Sequence, residues 1–287
     1  MMFACPRRAL AISLVLAGGC HPDATDDSAL DMLGDVARVA AGYDHSCALT
    51  TEGALRCWGG GEEREMALEA PGPYRAVSAG WRTTCALTAR AGMQCWQAGG
   101  AVVEVAGSYT SVHADEGLGC GLTDAGEPYC TDLSTGEATL TTTGTFSDFA
   151  WSLGEFCGID AQGTLLCSDE PDLSDRPTEG SYQAIAIYED DACALTEGGE
   201  VVCWGDARLD GPWSTLSWTA VTLGYEFGCA LADTGTVECW GDGSDQQTFV
   251  PLDQFVDVSA GYRHTCAVAT RGEVLCFGSD DGGQLAP

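Results

Sequence analysis

The chain has 287 residues, and 43 Asp and Glu against 12 basic residues, all of them Arg, give it a formal net charge of −31. This charge repels a phosphate backbone, so it excludes electrostatic binding to nucleic acid or to an anionic membrane surface. An apolar content of 45% excludes a disordered chain. Sixteen Cys beside four His indicate disulfides rather than a metal site, and we expect no cofactor.

The first 19 residues have the features of a signal peptide. Arg7 and Arg8 precede an apolar segment, residues 9–17, that is too short to span a bilayer. Cys20 follows the letters LAGG, and this segment resembles a bacterial lipobox, in which the Cys becomes the lipid-modified first residue of the mature protein. We therefore predict a signal peptide at 1–19, and a lipidated Cys20 with an acidic tether at 20–33.

This interpretation predicts a protein that is lipid-anchored in the bacterial outer membrane or at the cell surface. The alternative is an ordinary secretory peptide with an incidental Cys, and it predicts a periplasmic or secreted protein.

The remainder of the chain, 34–287, consists of seven copies of a repeat of about 36 residues. The segment AAGYDHSCALTTEGALRCWGG at 40–60 returns as TLGYEFGCALADTGTVECWGD at 222–242 and as SAGYRHTCAVATRGEVLCFGS at 259–279. A second Cys follows the first by ten places in every copy. The pairs are Cys47 with Cys57, Cys85 with Cys95, Cys120 with Cys130, Cys157 with Cys167, Cys193 with Cys203, Cys229 with Cys239, and Cys266 with Cys276.

Each Cys pair is predicted to form a disulfide across a β-hairpin. Apolar residues alternate on either side of a turn that ends in Gly, as in a three-residue hairpin loop. When Cys47 faces Cys57, the turn is Thr51 to Gly53, and the two Cβ atoms lie within disulfide reach. Zinc ligands are instead spaced two to four residues apart, which disfavours a metal site. Copy two has Ala91 where the other copies have Gly, so we expect its turn to differ.

Small residues follow the first Cys in all copies, which predicts that neighbouring sheets pack closely on each other. They are Ala48, Ala86, Gly121, Gly158, Ala194, Ala230 and Ala267. Short four-stranded sheets that stack in this way close into a ring, so the predicted fold is an all-β, seven-bladed β-propeller with disulfides inside the blades. Copy seven ends eleven residues after Cys276 and lacks a final strand. We expect the segment 28–39 to supply that strand.

The consensus SAGYxHxCALxxxGxVxCWG resembles the repeat of the regulator of chromosome condensation family over about 250 residues. Trp58-Gly59 and Trp240-Gly241 match its Trp-Gly pair, and residues 283–286 match most of its Gly-Gln-Leu-Gly segment. The resemblance implies a seven-bladed β-propeller. Some members are guanine-nucleotide exchange factors for nuclear GTPases, a role that does not suit an exported, disulfide-bonded chain. Secreted bacterial members include a β-lactamase inhibitory protein that binds its enzyme through one propeller face, which implies a protein-binding or scaffold module.

A candidate binding face lies in the turn before the first Cys. The residue four places before that Cys is aromatic in copies 6, 7, 1 and 2, which are consecutive in a closed ring, and Arg follows it in two of them. The predicted face contains Tyr43, Trp81, Arg82, Tyr225, Tyr262 and Arg263. Clustered aromatic and Arg side chains are typical of interaction hot spots. The alternative is that each ring packs on its own loop.

The sequence predicts no catalytic residues. His45 and His264 occupy the same place in two copies, and we expect each to form hydrogen bonds within its turn. The predicted partners are a protein and, through the Cys20 acyl chain, a lipid membrane, with no nucleic acid. The alternative function is a secreted enzyme or glycan-binding propeller with a site on one open face.

Replacement of Cys20 tests the predicted anchor. Metabolic labelling with a fatty-acid probe is expected to mark the wild-type protein and to leave Cys20→Ser unmarked, because the thiol is the acylated group. Cys5→Ser, which removes the other unpaired Cys, is expected to be labelled like the wild type. Equal labelling of Cys20→Ser and wild type contradicts the prediction.

Overall fold

The computed structural model describes residues 35–61, 68–97, 102–138, 143–168, 176–205, 209, 211–212 and 214–286. The predicted signal peptide, Cys20 and the tether lie outside these residues, so their assignment stays a prediction.

Seven antiparallel sheets, one for each repeat, form the blades of a β-propeller, and the described residues contain strands but no helix. Blades 1 and 2 have four strands: β1 (Val36–Ala41), β2 (His45–Thr50), β3 (Leu55–Gly59) and β4 (Leu68–Ala70), then β5 (Tyr74–Ala79), β6 (Thr83–Thr88), β7 (Met93–Gln97) and β8 (Val103–Val105). Blades 3 to 5 have three: β9 (His113–Asp115), β10 (Leu118–Leu122) and β11 (Pro128–Asp132); β12 (Asp148–Ser152), β13 (Glu155–Ile159) and β14 (Leu165–Cys167); β15 (Tyr182–Tyr188), β16 (Asp191–Thr196) and β17 (Val201–Trp204). Blades 6 and 7 also have three: β18 (Trp218–Gly224), β19 (Phe227–Ala232) and β20 (Val237–Gly241); β21 (Phe255–Ala260), β22 (His264–Ala269) and β23 (Val274–Gly278).

The prediction of a seven-bladed propeller is confirmed. The expected four-stranded blade occurs twice, and five blades have three strands within the described residues. Copies 3 and 4, which lack the Trp-Gly pair of the repeat, form blades like the others, although β9 and β14 are only three residues long.

All seven predicted disulfides are present, each within its own hairpin and between residues that face each other in the strand register. Their Cα atoms lie 3.9 to 4.1 Å apart. Closing a loop of ten residues contributes about 3 kcal/mol in the chain-entropy account of disulfide stabilisation. The bridges, from blade 1 to blade 7, are Cys47–Cys57, Cys85–Cys95, Cys120–Cys130, Cys157–Cys167, Cys193–Cys203, Cys229–Cys239 and Cys266–Cys276.

The hydrophobic core lies between blades rather than in one central mass. One cluster joins Leu49 and Leu55 of blade 1 to Trp96 of blade 2, and the other junctions have clusters of the same kind. The small residues after the first Cys are fully buried where they are Ala, as predicted for close packing. In blades 3 and 4, Tyr109 and Phe146 lie against Gly121 and Gly158, where a Cβ would collide.

A backbone hydrogen bond links each blade to the next in the same way around the whole ring. The amide of the residue eleven places before the first Cys donates to the carbonyl of the residue that ends the preceding blade's hairpin turn. The seven donor and acceptor pairs, at 2.8 to 3.3 Å, are Tyr74–Gly53, Tyr109–Ala91, Phe146–Gly126, Tyr182–Gly163, Trp218–Gly199, Phe255–Gly235 and Val36–Gly272. The donor side chain is aromatic in six blades, a recurrence that the sequence analysis missed.

The Val36–Gly272 bond closes the ring, and this corrects the predicted role of segment 28–39 for its residues 35–39, while residues 28–34 lie outside the described part of the chain. Val36 belongs to β1, which pairs with β2 of its own blade, so the described part of the segment is not a strand of blade 7. Blade 1 instead packs directly on blade 7, where Val36 shares a core cluster with Val268 and the Val39 amide donates to Asp257 Oδ2 at 2.9 Å. The closing junction therefore uses the same kinds of contact as the others.

Ala91 adopts the turn conformation that was expected to need Gly, so the expectation of a different turn in blade 2 is wrong. Its φ is 66°, and its amide donates to the Thr88 carbonyl at 3.0 Å, as Gly53 does to Thr50. Its carbonyl also accepts the bond from Tyr109. The ring therefore imposes this geometry on a residue with a Cβ, for which a left-handed conformation costs roughly 1–2 kcal/mol.

Replacing Ala91 by Gly is expected to stabilise the protein. Gly adopts a positive φ without strain, and this gain of about 1 kcal/mol offsets the greater freedom of Gly in the unfolded chain. The free energy of unfolding, measured by guanidinium titration with the disulfides intact, is expected to rise.

Ala89→Gly is the matched control, because Ala89 lies exposed in the same hairpin turn and does not have a positive φ. It is expected to leave stability unchanged or to lower it. A lower stability of Ala91→Gly than of wild type contradicts the account of the turn.

Candidate protein-binding face

The turns between the first and second strands of all blades lie on one open face of the propeller, which we call the turn face. In blades 1 and 2 the turn closes through Gly42 and Gly80, whose amides donate to the carbonyls of His45 and Thr83 at 2.9 Å. Gly261 makes the equivalent bond in blade 7 at 2.8 Å. The Ala-Gly-aromatic letters of the repeat therefore mark a tight turn that presents the aromatic residue.

The glycines of these turns allow neighbouring blades to approach at the propeller axis. The amide of Tyr262 donates to the Gly42 carbonyl at 3.0 Å, and that of Tyr43 donates to the Gly80 carbonyl at 3.2 Å. A Cβ on Gly42 would lie 2.7 Å from the Gly80 carbonyl oxygen, which excludes any other residue without a shift of the backbone. These bonds place the aromatic residues of consecutive blades side by side.

The four predicted aromatic residues form one continuous stack across blades 6, 7, 1 and 2, which we call the aromatic arc. Tyr225 and Tyr262 have ring centroids 4.9 Å apart, and those of Tyr262 and Tyr43 are 4.1 Å apart. Tyr43 and Trp81 follow at 5.1 Å with an interplanar angle of 20°. The rings contact one another across blade junctions, not only their own loops, and each is partly exposed.

The two predicted arginines flank the aromatic arc. The guanidinium carbon of Arg263 lies 5.3 Å from the ring centroid of Tyr262 and 5.9 Å from that of Tyr225. Arg263 also forms an ion pair with Asp245, with an N–O distance of 3.4 Å. Arg82, beside Trp81, is exposed and has a positive φ of 60°. Sequence reasoning thus identified a group of residues that the fold brings together, while their role in binding stays a prediction.

A cavity of about 420 Å³ opens at the axis and is lined by the innermost strands of all seven blades. Tyr43, Trp81 and Tyr262 line it, together with residues that the sequence analysis did not select. These are Asp115, Trp151, Tyr188 and Glu189 of blades 3 to 5. The missed signal was the departure of copies 3, 4 and 5 from the consensus, because Asp115, Ser152 and Tyr188 occupy the place of Gly42.

Carboxylates give the side of the cavity opposite the arc its electrostatic character. Burial raises the pKa of Asp115, although Asp115 Oδ2 accepts the Leu153 amide at 3.0 Å. Burial is also the main cause that raises the pKa of Glu189, with further contributions from Asp190 and Glu226. Tyr188 has a raised pKa through burial first and then through Glu189, Tyr262, Tyr43 and Asp115, so its hydroxyl lies among acidic and phenolic oxygens.

The two histidines of the repeat form hydrogen bonds between blades, which corrects the expectation that they bond within their turns. His45 Nε2 lies 2.9 Å from Thr84 Oγ1 of blade 2, and His264 Nε2 lies 2.9 Å from Ser46 Oγ of blade 1. The Ser46–His264 distance suits a nucleophile and its base, but both side chains have no exposed surface. A substrate therefore does not reach them.

Within the described ranges, no group of three or more His, Cys, Asp or Glu side chains is arranged to hold a metal ion. The same part of the chain contains no helix that is long and apolar enough to cross a membrane.

Sequence comparison supports the resemblance to one repeat family. Residues 36–64, 218–247 and 255–284 match the family described as "Regulator of chromosome condensation (RCC1) repeat". These segments fall in blades 1, 6 and 7, which supply three of the four rings of the aromatic arc. No curated protein matched the sequence of the chain.

Solved structures with the same fold include plant and fungal propellers. The CRINKLY WD40 ectodomain of the receptor kinase ACR4 from Arabidopsis thaliana has a TM-score of 0.71 and 19% identity, over 88% of this chain and 98% of that one. The ectodomain of the receptor kinase CR4 from Physcomitrella patens has a TM-score of 0.65 and 22% identity, over 85% and 73%. Prp20p from Saccharomyces cerevisiae, a protein with described binding to Gsp1p and histones, has a TM-score of 0.64 and 14% identity, over 86% and 82%.

These similarities and the seven described blades define the class of the protein as an RCC1-like β-propeller. At these identities the structural similarity establishes the fold and leaves the ligand to be argued from this chain's own residues.

The buried histidines predict a loss of stability in acid. Burial lowers the pKa of His45 to about 4 and that of His264 to about 3, against 6.5 in the unfolded chain. Between pH 6.5 and 4 the unfolded chain therefore binds protons that the folded chain does not, and the free energy of unfolding falls as the pH falls. For His45→Gln we expect the decrease per pH unit, measured by guanidinium titration, to be smaller by about 1.4 kcal/mol.

Asp148→Asn is the opposing control. Burial raises the pKa of Asp148 to about 6, so this carboxyl adds more to the free energy of unfolding as the pH falls. Without it, the free energy of unfolding is expected to fall more steeply in acid. An unchanged pH dependence in His45→Gln contradicts the assignment to that side chain.

Proposed function

We propose that the protein is an exported, lipid-anchored propeller that binds another protein through its turn face. The observation that carries the proposal is the aromatic arc, a stack of four partly exposed rings across four consecutive blades, with Arg263 packed over its end. Tyr, Trp and Arg are the side chains that contribute most to protein–protein hot spots.

Preorganisation supports this role. The backbone bonds between turns and the stacking between rings hold the arc in place before a partner arrives. An interface that is already ordered avoids most of the entropy cost of fixing its side chains on binding. The arc is therefore suited to a stable, specific contact.

The disulfides support export. Seven disulfides form and persist in an oxidising compartment and are rare in the cytosol. The signal peptide and the lipidated Cys20 inferred from the sequence also support export. In this proposal the acidic tether separates the propeller from the membrane. The proposed location is the bacterial outer membrane or cell surface.

A glycan-binding function is less well supported by the arc. A sugar ring stacks on an open aromatic face, whereas both faces of Tyr43 are covered, one by Trp81 and one by Tyr262. An enzymatic function also lacks support, because the Ser46–His264 pair is buried away from solvent. We therefore propose no catalytic activity for this protein.

The proposal is tested by capture from the native envelope on the immobilised propeller, residues 34–287. We expect a protein that is retained by the wild type and lost with Tyr262→Ala, because this change removes the ring between Tyr225 and Tyr43. A hot-spot residue of this kind is worth about 2 kcal/mol, or about 30-fold in affinity, in a titration with the purified partner.

Two further variants separate binding from folding. Phe249→Ala removes an aromatic side chain that is 76% exposed outside the arc, and it is expected to retain the partner. Arg263→Glu leaves all four rings in place and is expected to weaken binding. The proposal is wrong if the arc variants keep the unfolding midpoint of the wild type and capture the same proteins with the same affinity.

A further inference from the structure

The axial cavity differs from the aromatic arc in chemistry. Asp115 and Glu189 bring two carboxylates to its lining, and Tyr43, Tyr188 and Tyr262 bring three phenol groups. We call these five residues the channel mouth. Carboxylates only accept hydrogen bonds when ionised, and phenols accept as well as donate. The channel mouth is therefore rich in acceptors.

The described residues that line the cavity include no Arg, and the chain has no Lys. His113, which also lines it, has a pKa lowered to about 4 by burial and is neutral near pH 7. The two carboxylates thus share a partly enclosed space with no cation from the described lining. The raised pKa values of Asp115 and Glu189 agree with that arrangement, because a neighbouring cation would lower them.

Two indole rings also line the cavity, those of Trp81 and Trp151, and both side chains are partly exposed. Their indole nitrogens are buried, so the rings present apolar surface to the cavity and not N–H donors. Apolar surface beside carboxylates suits a long basic side chain, which packs its aliphatic stem on apolar groups.

We propose that the channel mouth binds a basic side chain of a protein partner, with the cation between Asp115, Glu189 and Tyr188 and its aliphatic stem along Trp81 and Trp151. This inference rests on the proposed function, since it specifies what the partner presents to the turn face. A loop or chain end with an exposed Arg or Lys has the required combination of several N–H donors and an aliphatic stem.

The size and position of the cavity suit such a segment. A volume of about 420 Å³ lies within the range of about 300–1,000 Å³ that is usual for ligand pockets. Because Tyr43 and Tyr262 belong both to the aromatic arc and to the channel mouth, one partner contacts both at once. The net charge of −31 further attracts a basic segment and repels an acidic one.

A metal ion or a sugar fits the site less well. For a metal ion, the described residues offer no group of three His, Cys, Asp or Glu side chains. A neutral sugar would leave the two carboxylates without a counter-charge.

The test uses two short peptides as probes, acetyl-Gly-Arg-Gly-amide and its citrulline counterpart, which has the same shape but no charge. Binding to the propeller is followed by intrinsic tryptophan fluorescence, since Trp81 and Trp151 line the cavity, and by NMR line broadening of the peptide. We expect the Arg peptide to bind at least ten-fold more tightly at low salt. Its affinity is expected to fall with added salt, while that of the citrulline peptide does not.

Variants locate the interaction. Asp115→Asn and Glu189→Gln keep an oxygen acceptor, and each is expected to weaken binding of the Arg peptide at least five-fold without lowering the unfolding midpoint. Glu52→Gln is the matched control, because it removes the same charge from an exposed hairpin turn on the opposite face. Equal affinity for the two peptides overturns the inference, as does an equal loss in Glu52→Gln.

The outcomes separate this inference from the proposed function. If the Arg peptide binds in an Asp115-dependent way and no arc-dependent partner is captured, the channel site stands and the proposed function fails. If an arc-dependent partner is captured and Asp115→Asn binds it with wild-type affinity, the proposed function stands and the inference about the basic side chain is wrong.

Discussion

The bond between the amide that begins one blade and the carbonyl that ends the preceding hairpin turn is the interaction on which the rest of the structure depends. It occurs seven times, and the Val36–Gly272 bond closes the ring between blade 7 and blade 1. Each hairpin must therefore end in a residue with a positive φ, so that its carbonyl faces the neighbouring blade. The cross-strand disulfide fixes the register that brings this carbonyl to the same height in every blade. Covalent and hydrogen-bonded constraints thus act together: one orders the hairpin, and the other orders the ring.

The sequence predicted the features that follow from a constant spacing of residues in the repeat, namely the hairpins, the blades and the aromatic arc. The ten-residue interval between Cys47 and Cys57, with alternating apolar residues and a turn that ends in Gly, predicts a hairpin, and its repetition in seven copies predicts repeated blades. The aromatic residues of the arc were found in the same way, since a residue at a constant distance before the first Cys takes the same place in each blade. Their contact then follows from closure, which makes blade 7 the neighbour of blade 1.

The parts that sequence reasoning missed depend on contacts between blades. Ala91 was expected to change its turn because intrinsic preference favours Gly, but the bond from Tyr109 imposes the same φ. His45 was expected to bond locally, yet its Nε2 faces Thr84, which is 39 residues away. The repeat spacing predicts contacts within one blade. It does not predict which side chains contact the neighbouring blade. The sequence analysis missed the acidic side of the channel for a related reason. Asp115 and Tyr188 replace a consensus Gly, so they have no counterpart in copies 1, 2, 6 and 7.

The division between copies that keep the consensus Gly of the turn and copies that replace it is the basis of the site. Blades 6, 7, 1 and 2 keep the Gly-aromatic turn, in which the amides of Tyr225, Tyr262 and Tyr43 each reach a carbonyl of the next blade and the rings stack outside. In blades 3, 4 and 5 the consensus Gly is replaced, and side chains take over its role: Asp115 and Ser152 accept the amides of Leu153 and Glu189. The same junction is thus made by backbone on one half of the ring and by polar side chains on the other. A ring built from seven equivalent units thereby acquires an apolar half and an acidic half around one axis, which is the asymmetry that a specific partner requires.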